Sequence, residues 1–179
     1  MITIYDKKFD FFMTAEEVQA VIRRLADEIS NDMRDLDPIF CPVLSGSFLF
    51  AADLVRKLDF DPEISFVKFS SYDGLQSTGQ VKELIGFPDS VRGRHVLIVE
   101  DIIETGISMA AMLKKLYEKE PASVKVCTLM HKPDLLQCDV QMDYIGREIP
   151  NAFIVGYGFD YNGHGRTYPD IYSLSDAEE

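Results

Sequence analysis

The sequence is poor in the features that mark secreted, disulfide-linked or membrane-spanning proteins. It has three cysteines, Cys41, Cys127 and Cys138, and no C-x-x-C pair, which predicts reduced thiols in a cytoplasmic protein. No apolar run approaches the length of a membrane-spanning helix, and residues 1–8 are too polar for a signal peptide. We therefore expect no association with a membrane.

Positive charge is also scarce. Lysine and arginine total 18 against 30 aspartates and glutamates, which gives a formal net charge of −12. Such a surface repels phosphate backbones, so we expect no binding to nucleic acid. Any anionic ligand must instead be bound by local groups, such as backbone amides, a few basic side chains or a metal ion.

The pattern that is present predicts one α/β domain. The 179 residues are 46% hydrophobic and contain no repeat or Pro/Gly/Ser linker, so we treat 1–179 as a single domain. Apolar runs predict strands and amphipathic periodicity predicts helices in alternation: strands at 39–44, 64–69, 95–99, 124–130 and 153–157, and helices at 18–29, 48–58 and 109–119. This alternation predicts a mostly parallel central sheet flanked by helices.

The end of the strand at 95–99 carries the strongest signal for chemistry. It is followed by acidic and then by small residues: Glu100, Asp101, Glu104, Thr105, Gly106, Ile107 and Ser108. Free amides at a helix start, the helix dipole and two hydroxyls form a phosphate cradle that needs no lysine. The carboxylates cannot face a phosphate, but they can accept sugar hydroxyls or hold a hard cation such as Mg²⁺. The sequence therefore predicts a sugar-phosphate site at this strand end.

Two other segments are candidates for the same site. Ser45-Gly46-Ser47 forms a small-residue turn between a strand and a helix. Residues 70–80 are polar and lack any period, which favours either a mobile lid or a plain surface connection.

Residues 96–106, with the sequence VLIVEDIIETG, resemble the phosphoribosyl pyrophosphate (PRPP) motif of type I phosphoribosyltransferases. The resemblance covers nearly the whole chain and is strongest to the hypoxanthine-guanine phosphoribosyltransferases. It implies that the terminal segments form a small hood over the sheet. It also implies a mobile catalytic loop that includes Ser71 and Tyr72, PRPP and a 6-oxopurine as substrates, Mg²⁺ as cofactor, and a homodimer or homotetramer.

The resemblance also implies roles for individual residues. The ribose and 5-phosphate of PRPP are expected at Glu100, Asp101, Glu104, Thr105, Gly106, Ile107 and Ser108, and pyrophosphate at Leu44, Ser45, Gly46 and Arg166. The purine is expected at Lys132, Phe153, Ile154 and Asp160, and magnesium at Glu100, Asp101 and Asp160. A lysine donor favours a 6-oxo group over the amino group of adenine. The family also often has a non-proline cis peptide, here expected between Leu44 and Ser45.

Two positions depart from the family pattern. Glu104 stands where purine-salvage members usually carry a catalytic aspartate, and Ser45 stands where many members carry lysine. The expected activity is purine salvage, in which hypoxanthine or guanine is converted to IMP or GMP with release of pyrophosphate. The departures leave open a regulatory protein that senses PRPP or nucleotide on the same scaffold. A xanthine or orotate phosphoribosyltransferase is a further alternative.

Overall fold

The computed structural model describes residues 1–71 and 81–175. Its strands are β1 (Ile2–Ile4), β2 (Lys7–Met13), β3 (Ile39–Pro42), β4 (Glu63–Ile64), β5 (Lys68–Ser71), β6 (Val81–Ile85), β7 (His95–Ile103), β8 (Ser123–His131), β9 (Tyr144–Glu148), β10 (Ile154–Val155) and β11 (Ile171–Leu174). Its α-helices are α1 (Ala15–Met33), α2 (Phe48–Val55) and α3 (Ile107–Tyr117), and short 3-10 helices span Arg34–Leu36, Asp89–Val91 and Pro133–Leu135.

The central sheet has five parallel strands in the order β4-β3-β7-β8-β9. Alternate residues of β7 enter different cores: Leu97 and Val99 pack with α1 and α2, whereas Val96 and Ile98 pack with α3. Both faces of this strand are thus covered, which explains why its sequence is continuously apolar rather than alternating. The predicted α/β fold with a parallel sheet is confirmed.

Helix α1 begins where the sequence predicts a cap. The Thr14 hydroxyl accepts the Glu17 N–H at 3.1 Å, and the Glu17 carboxylate accepts the Thr14 N–H at 2.9 Å. This reciprocal pair satisfies donors that a helix start otherwise leaves free. Fully buried residues then recur at helical spacing along one face, at Val18, Ile22, Leu25, Ile29 and Met33.

The terminal segments build a second sheet, in the order β1-β2-β11-β10 with antiparallel pairing. A small core of Ile4, Phe9 and Val155 lies beneath it. This sheet is the hood that the family resemblance implied. It joins strands from both ends of the chain and places the segment after β10 beside the central sheet.

Several predicted strands differ in extent from the observed ones. The runs at 39–44 and 153–157 form only β3 and β10, and β10 belongs to the hood sheet rather than to the central sheet. The run at 64–69 is divided between β4 in the central sheet and β5, which pairs with β6. Its apolar residues Ile64 and Phe66 are exposed, so they do not mark a buried strand. The strand predicted to end at Val99 continues to Ile103, because its pairing with β8 persists to the end. None of the helices among the described residues has the length and apolar character needed to span a membrane.

Candidate active site

The parallel register brings the predicted site segments to one edge of the sheet. Pro42 at the end of β3 lies opposite Val99 of β7, and Ile103 at the end of β7 lies opposite His131 of β8. The segments that follow these strands therefore emerge side by side, as ligand-binding segments do in open α/β sheets.

The segment after β7 turns sharply into α3. Gly106 has φ of 77°, a left-handed conformation that glycine adopts without penalty. A side chain here would also meet Leu136 at 3.0 Å and Val140 at 3.3 Å, so the turn packs closely on the chain after β8. The Ile107 N–H donates to the Thr105 hydroxyl oxygen over a long distance of 3.4 Å, which makes this hydrogen bond weak. The N–H groups at the start of α3 therefore remain available to bind an anion.

A pocket of about 160 Å³ opens at this turn. It is lined by Glu100, Ile102, Ile103, Glu104, Thr105, Gly106, Ser108 and Met109. Five of these residues belong to the predicted ribose and 5-phosphate site. The remaining three are apolar, and the sequence analysis did not assign them a role, because strand and helix residues of this type usually serve only the core.

Two carboxylates lie side by side in the last part of β7. Glu100 accepts the Asp101 N–H at 3.2 Å, and Asp101 accepts the Ile102 N–H at 2.9 Å. Loss of contact with water and then the charge of Asp101 raise the pKa of Glu100 well above its ordinary value. Burial also raises the pKa of Asp101, while hydrogen bonds and the positive charge of Arg166 act in the opposite direction. A cation would relieve this concentration of negative charge.

Glu104 forms an ion pair with Lys132. The Lys132 side chain is 5% exposed, whereas that of Glu104 is 46% exposed. The backbone N–H of Lys132 also donates to the Ile103 carbonyl at 3.0 Å, which holds the start of the chain after β8 against the end of β7. A buried lysine thus reaches the site beside a carboxylate that faces solvent.

The predicted pyrophosphate loop, residues 44–46, packs on the carboxylate pair. The Leu44–Ser45 peptide is cis, as predicted. A Cβ atom at Gly46 would collide with the carboxylate of Asp101, so a side chain at this position would displace that carboxylate. Next in the chain, the buried Ser47 hydroxyl donates to the Val43 carbonyl at 2.6 Å and holds the loop onto α2.

Strand β10 and the chain on either side of it carry the remaining predicted residues. Phe153 is 45% exposed, and its ring lies against Phe9 and Tyr161 at centroid distances of 6.3 and 6.0 Å. Further along, Arg166 pairs with Asp160 at 2.7 Å. Phe153 is therefore positioned as a half-exposed ring, and the ion pair occupies the groups predicted to meet pyrophosphate and metal.

The structure brings some predicted residues together and leaves others apart. Residues 100–108, 44–46 and Lys132 share one edge, whereas Phe153 and Ile154 do not line the pocket at the helix start. Ile154 pairs with Ser173 in the hood sheet. Tyr72 and the side chain of Ser71 lie outside the described residues. Within those residues no cluster of three metal-binding side chains occurs, so Asp160 does not join Glu100 and Asp101 in a preformed site.

Comparisons with known proteins agree on one family. A family model described as the phosphoribosyl transferase domain matches residues 14–162. The chain is 40% identical to a hypoxanthine-guanine-xanthine phosphoribosyltransferase of Tritrichomonas foetus, over 90% of this chain and 89% of that protein. It is 36% identical to a hypoxanthine-guanine phosphoribosyltransferase of Bacillus subtilis, with 92% of each chain covered. A crystal structure of such an enzyme from Bacillus anthracis superposes with a TM-score of 0.89 at 36% identity, over 95% of this chain and all of the other.

Proposed function

The chain belongs to the phosphoribosyl transferase family, and we propose that it transfers the phosphoribosyl group of PRPP to hypoxanthine or guanine in purine salvage. The names of its relatives and the fold of its structural neighbours support this activity. One observation carries the proposal: a helix-start cradle, a carboxylate pair and a buried lysine meet at one sheet edge. These groups match a sugar phosphate and a 6-oxopurine.

The helix start binds the 5-phosphate. Gly106, Ile107 and Ser108 supply backbone N–H groups, and the hydroxyls of Thr105 and Ser108 supply further donors. Glu100 and Asp101 accept the ribose hydroxyls. The carboxylates, the hydroxyls and the backbone N–H groups all lie within residues 100–108. Their positions along this segment fix the separation between the bound sugar and its phosphate.

The carboxylate pair also fits a divalent cation. Its oxygens are hard ligands, and burial raises the pKa of both carboxyl groups, so a bound cation would stabilise their charged forms. Because the described part of the chain lacks a third nearby ligand, the substrate must supply the rest, as is usual for Mg²⁺ bound with phosphates. We assign Glu100 and Asp101 as ligands of Mg²⁺, and Asp160 as a ligand of a second ion. An ion held by these carboxylates would neutralise charge on the leaving pyrophosphate.

The transfer joins a purine ring nitrogen to carbon one of the ribose while the bond from that carbon to pyrophosphate breaks. Lys132 donates to the oxygen on purine carbon six, the Ile154 backbone reads the adjacent ring edge, and Phe153 stacks on the ring. Glu104 accepts the proton that the purine releases. Residues 44–46 and Arg166 receive the pyrophosphate.

The Glu104–Lys132 pair places the carboxylate that accepts the purine proton beside the donor to the purine. The Lys132 ammonium has three N–H donors, so it can donate to the oxygen on purine carbon six while it stays paired with Glu104.

We also propose a cytoplasmic location. The cysteines of the described residues are free thiols, and Cys41 and Cys127 are buried, which suits a reducing cytoplasm. We also propose a homodimer or homotetramer, which sedimentation at several protein concentrations would establish.

A direct assay tests the proposed activity. The protein is incubated with PRPP and Mg²⁺ and, in turn, hypoxanthine, guanine, xanthine, adenine and orotate, and release of pyrophosphate is followed. We expect turnover with hypoxanthine or guanine and none with adenine, because Lys132 would face an amino group. Turnover with orotate alone, or with no base, would refute the proposal.

A further inference from the structure

The chain after β10, residues 156–166, which we call the hood segment, begins with an unusual backbone. Gly156, Tyr157 and Gly158 are consecutive residues with positive φ, of 97°, 47° and 99°. Glycine tolerates this region, but a residue with a bulky side chain seldom adopts it. Interactions beyond the local chain must therefore hold Tyr157 in place.

A buried hydrogen bond provides such an interaction. Tyr157 is 6% exposed, and its hydroxyl donates to Asp53 Oδ2 at 2.6 Å. The side-chain Nε2 of Gln19 donates to the same oxygen at 2.5 Å, and Lys57 donates to Gln19 Oε1 at 2.6 Å. Burial and then the Asp53 carboxylate raise the pKa of Tyr157, so its hydroxyl stays protonated and remains a donor.

Asp53 belongs to α2, the helix that begins directly after the pyrophosphate loop at residues 44–46. The hydrogen bond therefore joins the helix after the pyrophosphate loop to the segment after β10. The loop and this segment each carry groups assigned to pyrophosphate binding, although neither Asp53 nor Tyr157 has such a role itself.

The contacts of Gly158 extend this link into the site. A Cβ atom on Gly158 would collide with the Gly46 carbonyl, so the two backbones touch. The Gly158 carbonyl accepts Arg166 Nη1 at 2.5 Å, and Arg166 in turn pairs with Asp160 at 2.7 Å. A shift of Tyr157 would move its neighbour Gly158 and with it the anchor of the Arg166 side chain.

We propose that Asp53 and Tyr157 are positioning residues that fix the hood segment against the pyrophosphate loop, so that Arg166 and residues 44–46 meet pyrophosphate together. This role rests on the proposed function, because it assumes that PRPP binds between the two segments. Neither residue touches substrate. Their hydrogen bond sets the distance between groups that do.

A pair of tyrosine variants tests the proposal. Tyr157→Phe removes the hydroxyl and keeps the ring. Tyr144→Phe is the matched control, because Tyr144 is 4% exposed, donates to Asp32 at 2.9 Å and belongs to the edge strand β9, two strands away from β7. We expect Tyr157→Phe to raise the KM for PRPP roughly tenfold while the purine KM stays within about twofold, and we expect Tyr144→Phe to leave both unchanged.

A double-mutant cycle separates positioning from stability. Asp53→Ala should raise the KM for PRPP as Tyr157→Phe does, and the double variant should be no worse than either single variant. Asp53→Asn keeps an acceptor for the tyrosine hydroxyl and should restore most of the affinity. Additive effects, or equal kinetic effects of Tyr157→Phe and Tyr144→Phe, would overturn the proposal.

Hydrogen exchange distinguishes failure of this inference from failure of the proposed function. If the wild type converts no base, the proposed function falls, but the position of the hood segment can still be measured. Faster amide exchange at residues 156–166 in Tyr157→Phe, and not in Tyr144→Phe, supports the positioning role. Equal exchange in the two variants contradicts it, whatever the activity of the wild type.

Discussion

Replacing Glu104 by glutamine separates two possible contributions of this residue. The variant keeps the side-chain size but loses the negative charge that faces Lys132. Removing one member of a fully buried ion pair costs about 3–5 kcal/mol, but Glu104 is nearly half exposed, so we expect a loss of only about 1–2 kcal/mol in unfolding free energy. If Glu104 accepts the purine proton, kcat with hypoxanthine or guanine should fall by about 100- to 10,000-fold.

Steady-state kinetics and calorimetric titration with PRPP measure the two effects separately. We expect PRPP affinity to change little in Glu104→Gln, because Glu100 and Asp101 face the sugar. Glu28→Gln is the matched control: Glu28 also pairs with a basic residue, Arg24, and is 44% exposed, but it lies on α1 away from the site. This control should keep wild-type kinetics.

The outcome discriminates among three accounts. A large fall in kcat with unchanged PRPP affinity supports proton transfer by Glu104. A changed purine KM with nearly normal kcat would mean that Glu104 only holds Lys132. Wild-type kinetics in Glu104→Gln would remove Glu104 from the mechanism. Glu104→Asp, which restores the residue usual in the family, should keep or raise activity, and negligible wild-type turnover rescued by it would indicate a binding protein that has lost catalysis.

Three further changes probe other parts of the site. Phe153→Ala should raise the purine KM by about 10- to 100-fold, the worth of stacking on one base, whereas Phe11→Ala, which removes a similarly exposed ring of β2, should leave kinetics unchanged. Gly46→Ala should weaken PRPP binding in calorimetry, because the new methyl group displaces the Asp101 carboxylate; unchanged affinity would contradict the packing of the loop on this residue. The raised pKa of Glu100 means that the folded protein holds this proton more tightly than the unfolded chain, so stability falls as pH rises through the raised pKa. Without divalent cation, Glu100→Gln should therefore melt at a higher temperature than the wild type at about pH 8, with no difference near pH 4, and a lower melting temperature at the higher pH would refute the sign.

The sequence predicted β3, β7 and β8 of the central sheet because these strands are buried on both faces. Strand β9, which ends in the exposed residues Arg147 and Glu148, was missed. The run at 95–99 could be identified from its apolar residues alone, and the acidic and small residues that follow it indicated the site. The extension of β7 through Glu100 and Asp101 could not be predicted, because charged residues interrupt the apolar run. The strand continues there because its backbone still pairs with β8. The hood strands β1, β2 and β11 were missed for a similar reason, since β2 contains three charged residues among seven.

The contacts between side chains across the site could not be predicted from local sequence patterns. Glu104 and Lys132 are 28 positions apart, and only the parallel register of Ile103 with His131 brings them together. A lysine after a strand is ordinarily a solvated surface residue, so its burial depends on the tertiary fold. The Tyr157–Asp53 bond is likewise a contact between distant segments.

The central claim is that one sheet edge holds the 5-phosphate at the start of α3 and the purine between Lys132 and Phe153. A crystal structure with GMP or IMP tests it most directly. We predict that the phosphate lies against the backbone amides of Gly106, Ile107 and Ser108, with the 6-oxo group within hydrogen-bond distance of Lys132. A nucleotide whose phosphate lies elsewhere, or whose ring is far from both Lys132 and Phe153, would contradict the account.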